Sequence, residues 1–142
     1  AVLGGKVLKE TLVQLKEGRA PREEQDHEKS SYAPMLTKDL SEIQWNKKAE
    51  EIHNLIRGTI PWPVASTKYM GKTMKVWKST VEKSEKTYEA GKIVEVTKDN
   101  IYVATGKDLL VIEEIQFSGG KRLKVREFLA GNTIEKDVIL GE

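Results

Sequence analysis

The chain has 142 residues, and its 24 Lys and Arg nearly balance 22 Asp and Glu, so the formal net charge is only +2. That length allows one domain with a hydrophobic core plus an additional helix or tether. The absence of cysteine excludes disulfide bonds, thiolate metal sites and a cysteine nucleophile, and no membrane span or signal peptide is visible. We therefore expect a soluble cytoplasmic protein.

The first predicted element is a helix over residues 1–17. Leu8, Leu12 and Leu15 recur at i, i+4 and i+7 and form one apolar stripe. Gly18 follows at the position where helices often end in a left-handed residue. A helix this short is not stable alone, so we expect its stripe to pack on the following domain or on a preceding one. The first residue is Ala rather than Met, which indicates a fragment or a processed chain.

Residues 19–31 form a charged segment with almost no apolar side chains, which predicts a solvated tether. The chain should then be extended up to Leu36, because Pro34 disfavours helical angles at Ala33. A short second helix is predicted next, with Asn46 as its cap and Gly58 at its end. Its buried face carries Ala49, Ile52, His53 and Ile56. Pro61 and Pro63 prevent this helix from continuing, and they leave Trp62 little backbone freedom.

Beyond Pro63 the pattern changes to short strands separated by turns. The predicted strands or edge segments cover residues 74–81, 92–97, 101–104, 109–117 and 138–140, a turn covers residues 69–72, and a short helix covers residues 125–130. In the first strand Met74 and Val76 face one side, and Lys75 and Trp77 face the other. This pattern predicts a mainly β fold, a small antiparallel OB-fold-like barrel with flanking helices, plus the N-terminal helix and tether.

The sequence offers little chemistry for catalysis. His27 lies in the tether and is expected to be solvated, while His53 shares the apolar helix face and is expected to be packed. Neither belongs to a metal-binding pattern. Glu113 and Glu114 are adjacent on one predicted strand and so point to opposite faces, which argues against a paired acid and base. We predict no catalytic residue and no metal site in this chain.

Basic residues cluster on the predicted barrel, and aromatic side chains lie among them. The candidate nucleic-acid-binding set is Lys68, Lys72, Lys75, Trp77, Lys78, Lys92, Lys121, Arg122 and Lys124. Clustered cations on a small barrel suit contacts to a phosphate backbone, and an aromatic ring could stack on a base. The alternative is a solvated lysine-rich surface with Trp77 packed against the tether. The residues alone do not separate these two interpretations.

Several motifs, in this order and spacing, identify a family. They are Tyr32-Ala33-Pro34, Leu36-Thr37-Lys38, Ile43, Trp45-Asn46, Ala49, Ile56-Arg57-Gly58, Pro61-Trp62-Pro63, Met74-Lys75-Val76-Trp77, Gly91-Lys92-Ile93-Val94, Ala104-Thr105-Gly106 and Phe128-Leu129-Ala130-Gly131. Together they resemble the C-terminal part of methionyl-tRNA formyltransferases, over nearly the whole chain. Met35 and Gln44 depart from the family, which usually has Lys and Asp there. Both exchanges remove charge at the domain junction.

The resemblance implies three regions: residues 1–18 as the last helix of a catalytic domain, 19–36 as a linker, and 37–142 as an OB-like tRNA-binding domain. It implies that the missing N-terminal domain transfers a formyl group from 10-formyltetrahydrofolate, a substrate of the full enzyme, to initiator Met-tRNA. This chain would need no cofactor, would bind neither membrane nor DNA, and would be inactive alone. Trp45, Arg57 and Trp62 would set the geometry of the domain junction.

Two other interpretations stay open at this point. Sugar-nucleotide formyltransferases and formyltetrahydrofolate dehydrogenases or hydrolases share this kind of C-terminal domain, and the sequence of the upstream domain would discriminate between them. The chain could also be a free-standing nucleic-acid-binding module. The apolar stripe of the first helix argues against that, because the stripe fits the end of a larger domain.

Overall fold

The computed structural model describes residues 2–141, which form two compact units that divide after residue 34. The first unit contains helix α1 (Val2–Lys16) and a short 3-10 helix at His27–Lys29. Helix α1 and its stop are confirmed, since Gly18 has a φ of 70°. The stripe residues Leu8, Leu12 and Leu15 remain 60%, 56% and 53% exposed. No helix in the described part of the chain is both long and apolar enough to span a bilayer.

The second unit is one antiparallel sheet with two helices. Its elements are a 3-10 helix at Lys38–Ser41, helix α2 (Ala49–Gly58), strands β1 (Ser66–Tyr69), β2 (Lys72–Glu82), β3 (Ile93–Val96), β4 (Ile101–Ala104), β5 (Leu109–Phe117) and β6 (Leu123–Lys124), and helix α3 (Val125–Leu129). The strand order is β1-β2-β5-β4-β3, and β6 pairs with β5. The sheet curls into a half-barrel, which confirms the predicted OB-fold-like architecture.

The core lies on the concave face of the sheet, under α2. Met74 and Val76 of β2 are buried, as their alternation predicted, and β5 adds Leu110, Ile112 and Ile115 to the same core. Helix α2 covers it with the buried face predicted from the sequence, Ala49, Ile52 and Ile56. Each fully buried aliphatic side chain contributes about 1.5–3 kcal/mol of transfer free energy. Because the core side chains occupy one face of β1 and β2, polar and charged side chains project from the other face.

Strands β1 and β2 form a tight hairpin at the predicted turn. Tyr69 pairs with Lys72, and the two residues between them, Met70 and Gly71, both have positive φ, 49° and 74°. Two successive left-handed residues form the turn type that matches the twist of a two-residue hairpin. Glycine adopts this conformation freely, whereas Met70 adopts it at some cost. The turn sets the register that places Lys68 opposite Thr73.

The predicted cap of α2 at Asn46 is wrong. The helix begins at Ala49 after the N-cap residue Lys48, whose N–H donates to the Glu51 carboxylate at 3.1 Å. The reason is a tertiary contact: the Ala49 N–H donates to the Lys107 carbonyl, at 3.0 Å, in the turn between β4 and β5. This turn holds the preceding residues outside the helix.

Gly106, in the same turn, explains why the Ala104-Thr105-Gly106 segment needs glycine. Its N–H donates to the Trp45 and Lys47 carbonyls at 3.0 and 2.9 Å. A Cβ at Gly106 would lie 2.0 Å from the Asn46 carbonyl oxygen, a distance that no side chain can adopt. The glycine thus lets the two backbones meet, and it fixes the segment that carries Trp45.

The C-terminal segment forms the predicted edge pairing. The Ile93 N–H donates to the Val138 carbonyl, and the Leu140 N–H donates to the Gly91 carbonyl, both at 2.8 Å. The 3-10 helix at Lys38–Ser41 and strand β6 were not predicted, because each is too short to show a periodicity.

Candidate nucleic-acid interface

Three predicted lysines lie at the β1–β2 hairpin. Lys68 and Lys75 are on the face opposite the core, since their neighbours Thr67 and Met74 are buried. Lys72 lies next to the turn and is exposed. The Lys68 Nζ donates to Thr73 Oγ1 at 2.9 Å. Among residues 2–141 no carboxylate forms an ion pair with any of the three. We call Lys68, Lys72 and Lys75 the hairpin cations.

Three other predicted cations are each bound to a carboxylate. Lys78 Nζ lies 2.6 Å from the Glu113 carboxylate, Lys92 Nζ lies 2.9 Å from Asp137, and Arg122 pairs with Glu114. The hydrogen bond and charge of Glu113 raise the pKa of Lys78, and Asp137 raises the pKa of Lys92. We call Lys78, Lys92 and Arg122 the paired cations. Their positive field is partly cancelled at short range.

Trp77 is held by its own sheet. It sits at an irregularity in the β2–β5 register, between the pairs Val76–Ile115 and Lys78–Glu114. The Arg122 guanidinium lies over the indole, 4.7 Å from the ring centroid, in a cation–π contact. The indole N–H donates to Gln116 Oε1 at 3.0 Å. One face of the ring is therefore occupied by Arg122, which limits Trp77 as a platform for a base.

Lys121 and Lys124 precede helix α3 and are both exposed. Neither has a carboxylate partner among residues 2–141. Lys124 pairs in register with Glu114, whose carboxylate is bound to Arg122. These two lysines therefore add positive charge beside the paired cations.

The three residues predicted at a domain junction have different environments. Trp45 is 6% exposed, and its indole N–H donates to Thr67 Oγ1 at 3.0 Å. Arg57 is exposed and donates to Asn54 Oδ1 at 2.9 Å within α2. Trp62 is 51% exposed. Trp45 thus stabilises the barrel unit, while Arg57 and Trp62 are available at its surface.

The described residues do not contain a group of three or more His, Asp or Glu side chains arranged for a metal ion. His53 is half-buried, and its Nδ1 lies 3.1 Å from Ser79 Oγ, which confirms the predicted packed position. Glu113 and Glu114 each bind a different cation rather than acting together. The arrangement offers charge and aromatic surface rather than an acid–base pair.

A protein-family model described as formyl transferase, C-terminal domain, matches residues 35–133, which is more than half of the chain. The chain belongs to this formyl transferase C-terminal domain family. All nine candidate nucleic-acid-binding residues and all three junction residues fall inside the matched range. The resemblance drawn from the motifs is confirmed at the level of the family.

Curated relatives carry the same resemblance over the whole chain. A methionyl-tRNA formyltransferase from Alkaliphilus oremlandii is 56% identical over 140 residues, covering 99% of this chain and 45% of the relative. One from Clostridioides difficile is 50% identical over 139 residues, covering 98% of this chain and 45% of the relative. The chain therefore spans less than half the length of these curated relatives.

A solved structure shares the fold at low sequence identity. HypX from Aquifex aeolicus matches with a TM-score of 0.58 at 16% identity, covering 92% of this chain and 24% of that one. Another HypX structure, in complex with tetrahydrofolic acid, matches with a TM-score of 0.57. At this identity the likeness shows the fold alone.

Sequence reasoning missed how the formyl transferase C-terminal domain distributes its charges. Glu113 and Glu114 were examined only as an acid–base pair, yet they bind Lys78 and Arg122. Phe128 was named only as part of a family motif and was not connected with Phe117, although the two rings stack with centroids 5.1 Å apart. The sequence carries no signal for these contacts, because they depend on the pairing of β2 with β5, which places Glu114 opposite Lys78 and brings Gln116 within hydrogen-bond distance of Trp77.

Proposed function

We propose that this chain is the tRNA-binding C-terminal part of a methionyl-tRNA formyltransferase. In this proposal a preceding catalytic domain transfers the formyl group from 10-formyltetrahydrofolate to initiator Met-tRNA in translation initiation, in the cytoplasm. The chain positions the tRNA and supplies no catalytic residue. The single observation that carries the proposal is the group of hairpin cations, which lie together at one hairpin and have no carboxylate partner among residues 2–141.

The geometry of the hairpin supports this assignment. Lys68 and Lys75 project from the same face of an antiparallel pair as diagonal neighbours, which lie about 7–8 Å apart. Such spacing lets two ammonium groups contact neighbouring phosphates along a nucleic-acid backbone. A tight two-residue turn holds the strands, so little conformational freedom is lost when the backbone binds.

The length comparison supports a separate catalytic domain. The relatives extend well beyond the part that this chain matches, since the match covers 45% of each. The exposed apolar stripe of α1 fits the prediction that residues 1–18 complete such a domain, because stripes of this kind pack in a larger core. We place residues 19–36 as the linker, and Arg57 and Trp62 as junction contacts with Trp45 supporting them from within the barrel.

A different 10-formyltetrahydrofolate-using enzyme is the alternative. The shared fold with HypX does not distinguish the two, because the likeness rests on 16% identity. Three relatives at 50% identity or more are methionyl-tRNA formyltransferases, which favours the tRNA enzyme.

The test is a titration of the chain with initiator and elongator tRNA over a range of salt concentrations. Three to five phosphate contacts predict that log affinity falls with log salt at a slope of about −3 to −5. An affinity that does not change with salt would contradict the proposal. Formyl transfer catalysed by the chain alone would contradict its division of roles.

A further inference from the structure

One groove of the barrel unit combines aromatic surface, a cation and polar groups. It has a volume of about 430 Å³ and lies between the end of β5, the β1–β2 turn and helix α3. Its walls include Tyr69, Lys72, Phe117, Ser118, Phe128 and Asn132. We call it the aromatic groove. Its volume falls within the range of small-ligand sites in proteins.

The aromatic wall of the groove is a fixed stack. The Phe117 and Phe128 rings are inclined by 28° with centroids 5.1 Å apart, and Tyr69 meets Phe117 edge-on at 6.0 Å. The Tyr69 hydroxyl accepts a hydrogen bond from the Glu135 N–H at 2.9 Å, which anchors that ring. Phe117 and Phe128 are only half-buried, so part of each ring faces the groove. A planar ligand can extend such a stack without rearranging the core.

Polar groups at the rim retain hydrogen-bonding capacity. The Asn132 Nδ2 donates to the Phe128 carbonyl at 3.1 Å, and the Oδ1 of this groove-lining residue accepts no hydrogen bond within residues 2–141. Within residues 2–141 the Ser118 hydroxyl and the Lys72 ammonium have no hydrogen-bond or ion-pair partner. The Lys72 cation matches the phosphate of one nucleotide, and the Asn132 acceptor and the Ser118 hydroxyl match the base edge. The aromatic stack matches the plane of the base.

From this arrangement we propose that the aromatic groove binds one unpaired nucleotide of an RNA. Its base stacks on the Phe128–Phe117 wall, Asn132 and Ser118 contact the base edge, and Lys72 contacts the phosphate. The inference rests on the proposed function and deepens it, because Lys72 belongs both to the groove and to the hairpin cations. In the hairpin register Lys72 pairs with Tyr69, a wall of the groove, while Lys68 and Lys75 lie on the other face of the same two strands, so an RNA strand bound at all three would pass around the β1–β2 turn.

Amide chemical-shift mapping of the full chain tests the groove directly. The probes are single-stranded RNA tetranucleotides of each base, a blunt-ended RNA duplex and inorganic phosphate. We expect the single strands to shift the amides of Phe117, Ser118, Phe128 and Asn132, whereas the duplex should shift only the hairpin. The proposal would be overturned if the groove amides show no shift change with the single strands, or the same change with the duplex or with phosphate.

A variant pair extends the test. Phe128→Leu keeps an apolar side chain but removes the ring, and it should weaken single-strand binding about tenfold while duplex binding is unchanged. Asn132→Ala, at an exposed position, should weaken single-strand binding several-fold, and it decides the matter if Phe128→Leu does not fold. Unchanged single-strand affinity in a folded variant overturns the groove. Salt-dependent tRNA binding that persists in such a case would leave the proposed function standing.

Discussion

Two regions of the same sheet carry similar numbers of cations but differ in what those cations can do. At the β1–β2 hairpin, Lys68, Lys72 and Lys75 have no carboxylate partner among the described residues. In the middle of β2 and at β6, Lys78 and Arg122 are bound to Glu113 and Glu114. Coulomb attraction at such short range reduces the field that a phosphate meets. A cluster of basic residues in the sequence therefore does not by itself produce a positively charged surface.

The paired region also has a structural role that the hairpin lacks. Arg122 covers the Trp77 ring and binds Glu114, while Gln116 accepts the indole N–H and donates to the Gly120 carbonyl at 3.0 Å. These contacts join β2, β5 and the loop before β6. We infer that the paired cations mainly maintain the sheet and that the hairpin cations mainly contact the ligand.

The largest effect is expected from reversing the free charges. The double variant Lys72→Glu/Lys75→Glu should weaken tRNA binding about 10- to 100-fold at constant salt, because two phosphate contacts become repulsions. The matched control is Lys83→Glu/Lys86→Glu, which reverses two exposed lysines in the loop between β2 and β3 and should have little effect. Equal losses in the two variants, with unchanged melting temperatures, would show that only net charge matters.

Neutralising the carboxylates should have the opposite effect. Glu113→Gln/Glu114→Gln releases Lys78 and Arg122, so tRNA affinity should rise about three- to tenfold and the salt slope should steepen by about 1 for each released cation. Glu82→Gln/Glu85→Gln is the control, because both carboxylates are exposed and neither is paired with a cation among residues 2–141. Affinity measured by fluorescence titration would contradict the comparison if this control variant produced the same gain.

The hairpin can be stabilised without touching its charges. Met70 has a φ of 49°, and Asn adopts this turn conformation more readily. Met70→Asn should raise the free energy of unfolding by about 0.5–1 kcal/mol in urea denaturation. The tRNA affinity should stay within a factor of two, because the substitution leaves the cations that contact phosphate unchanged. A loss of stability would show that the turn is not of this type in solution.

The smallest effect concerns Lys92 and Asp137, which test whether the pairing persists in solution. The hydrogen bond from Lys92 lowers the pKa of Asp137 below 3.8, and Asp137 raises the pKa of Lys92 above 10.5. The stabilisation from Asp137 is therefore fully present above 3.8 and lost as pH falls through its lower folded-state pKa. Asp137→Asn should lower the melting temperature slightly at neutral pH and not at strongly acidic pH.

The titration of Lys92 does not interfere with that pH experiment. Because its pKa is raised, Lys92 stays charged in the folded protein from acidic conditions to above pH 10.5, so it adds no further transition below that value. A melting-temperature difference that is the same at neutral and strongly acidic pH would mean that the substitution acts through something other than the ion pair.

Much of the fold could be predicted because local patterns specify it. Strand β5 (Leu109–Phe117) covers the residues predicted, since its apolar run is bounded by the turns at Gly106 and Gly119. Helix α1 likewise shows its period and its glycine stop within one segment. The start of α2 could not be predicted, because the contact that delays it comes from Lys107, far along the chain.

The sequence predicted which residues belong to the candidate site but not how they are arranged in space. Lys75 and Lys78 look equivalent in the sequence, yet the irregularity at Trp77 places Lys78 beside the β5 carboxylates and Lys75 beside Gln116. That difference depends on strand register, which spacing along one strand does not contain. The aromatic groove has the same origin, because Tyr69, Phe117 and Phe128 come from three separate elements.

The most direct measurement is the salt dependence of tRNA affinity for two neutral variants, Lys75→Gln and Lys78→Gln, beside the unchanged chain. Both remove one positive charge from β2, so net charge is matched. We predict that Lys75→Gln makes the log–log slope shallower by about 1, as for a lost phosphate contact, and that Lys78→Gln changes it far less. Equal changes in slope, or a larger change for Lys78→Gln, would contradict the distinction between hairpin and paired cations.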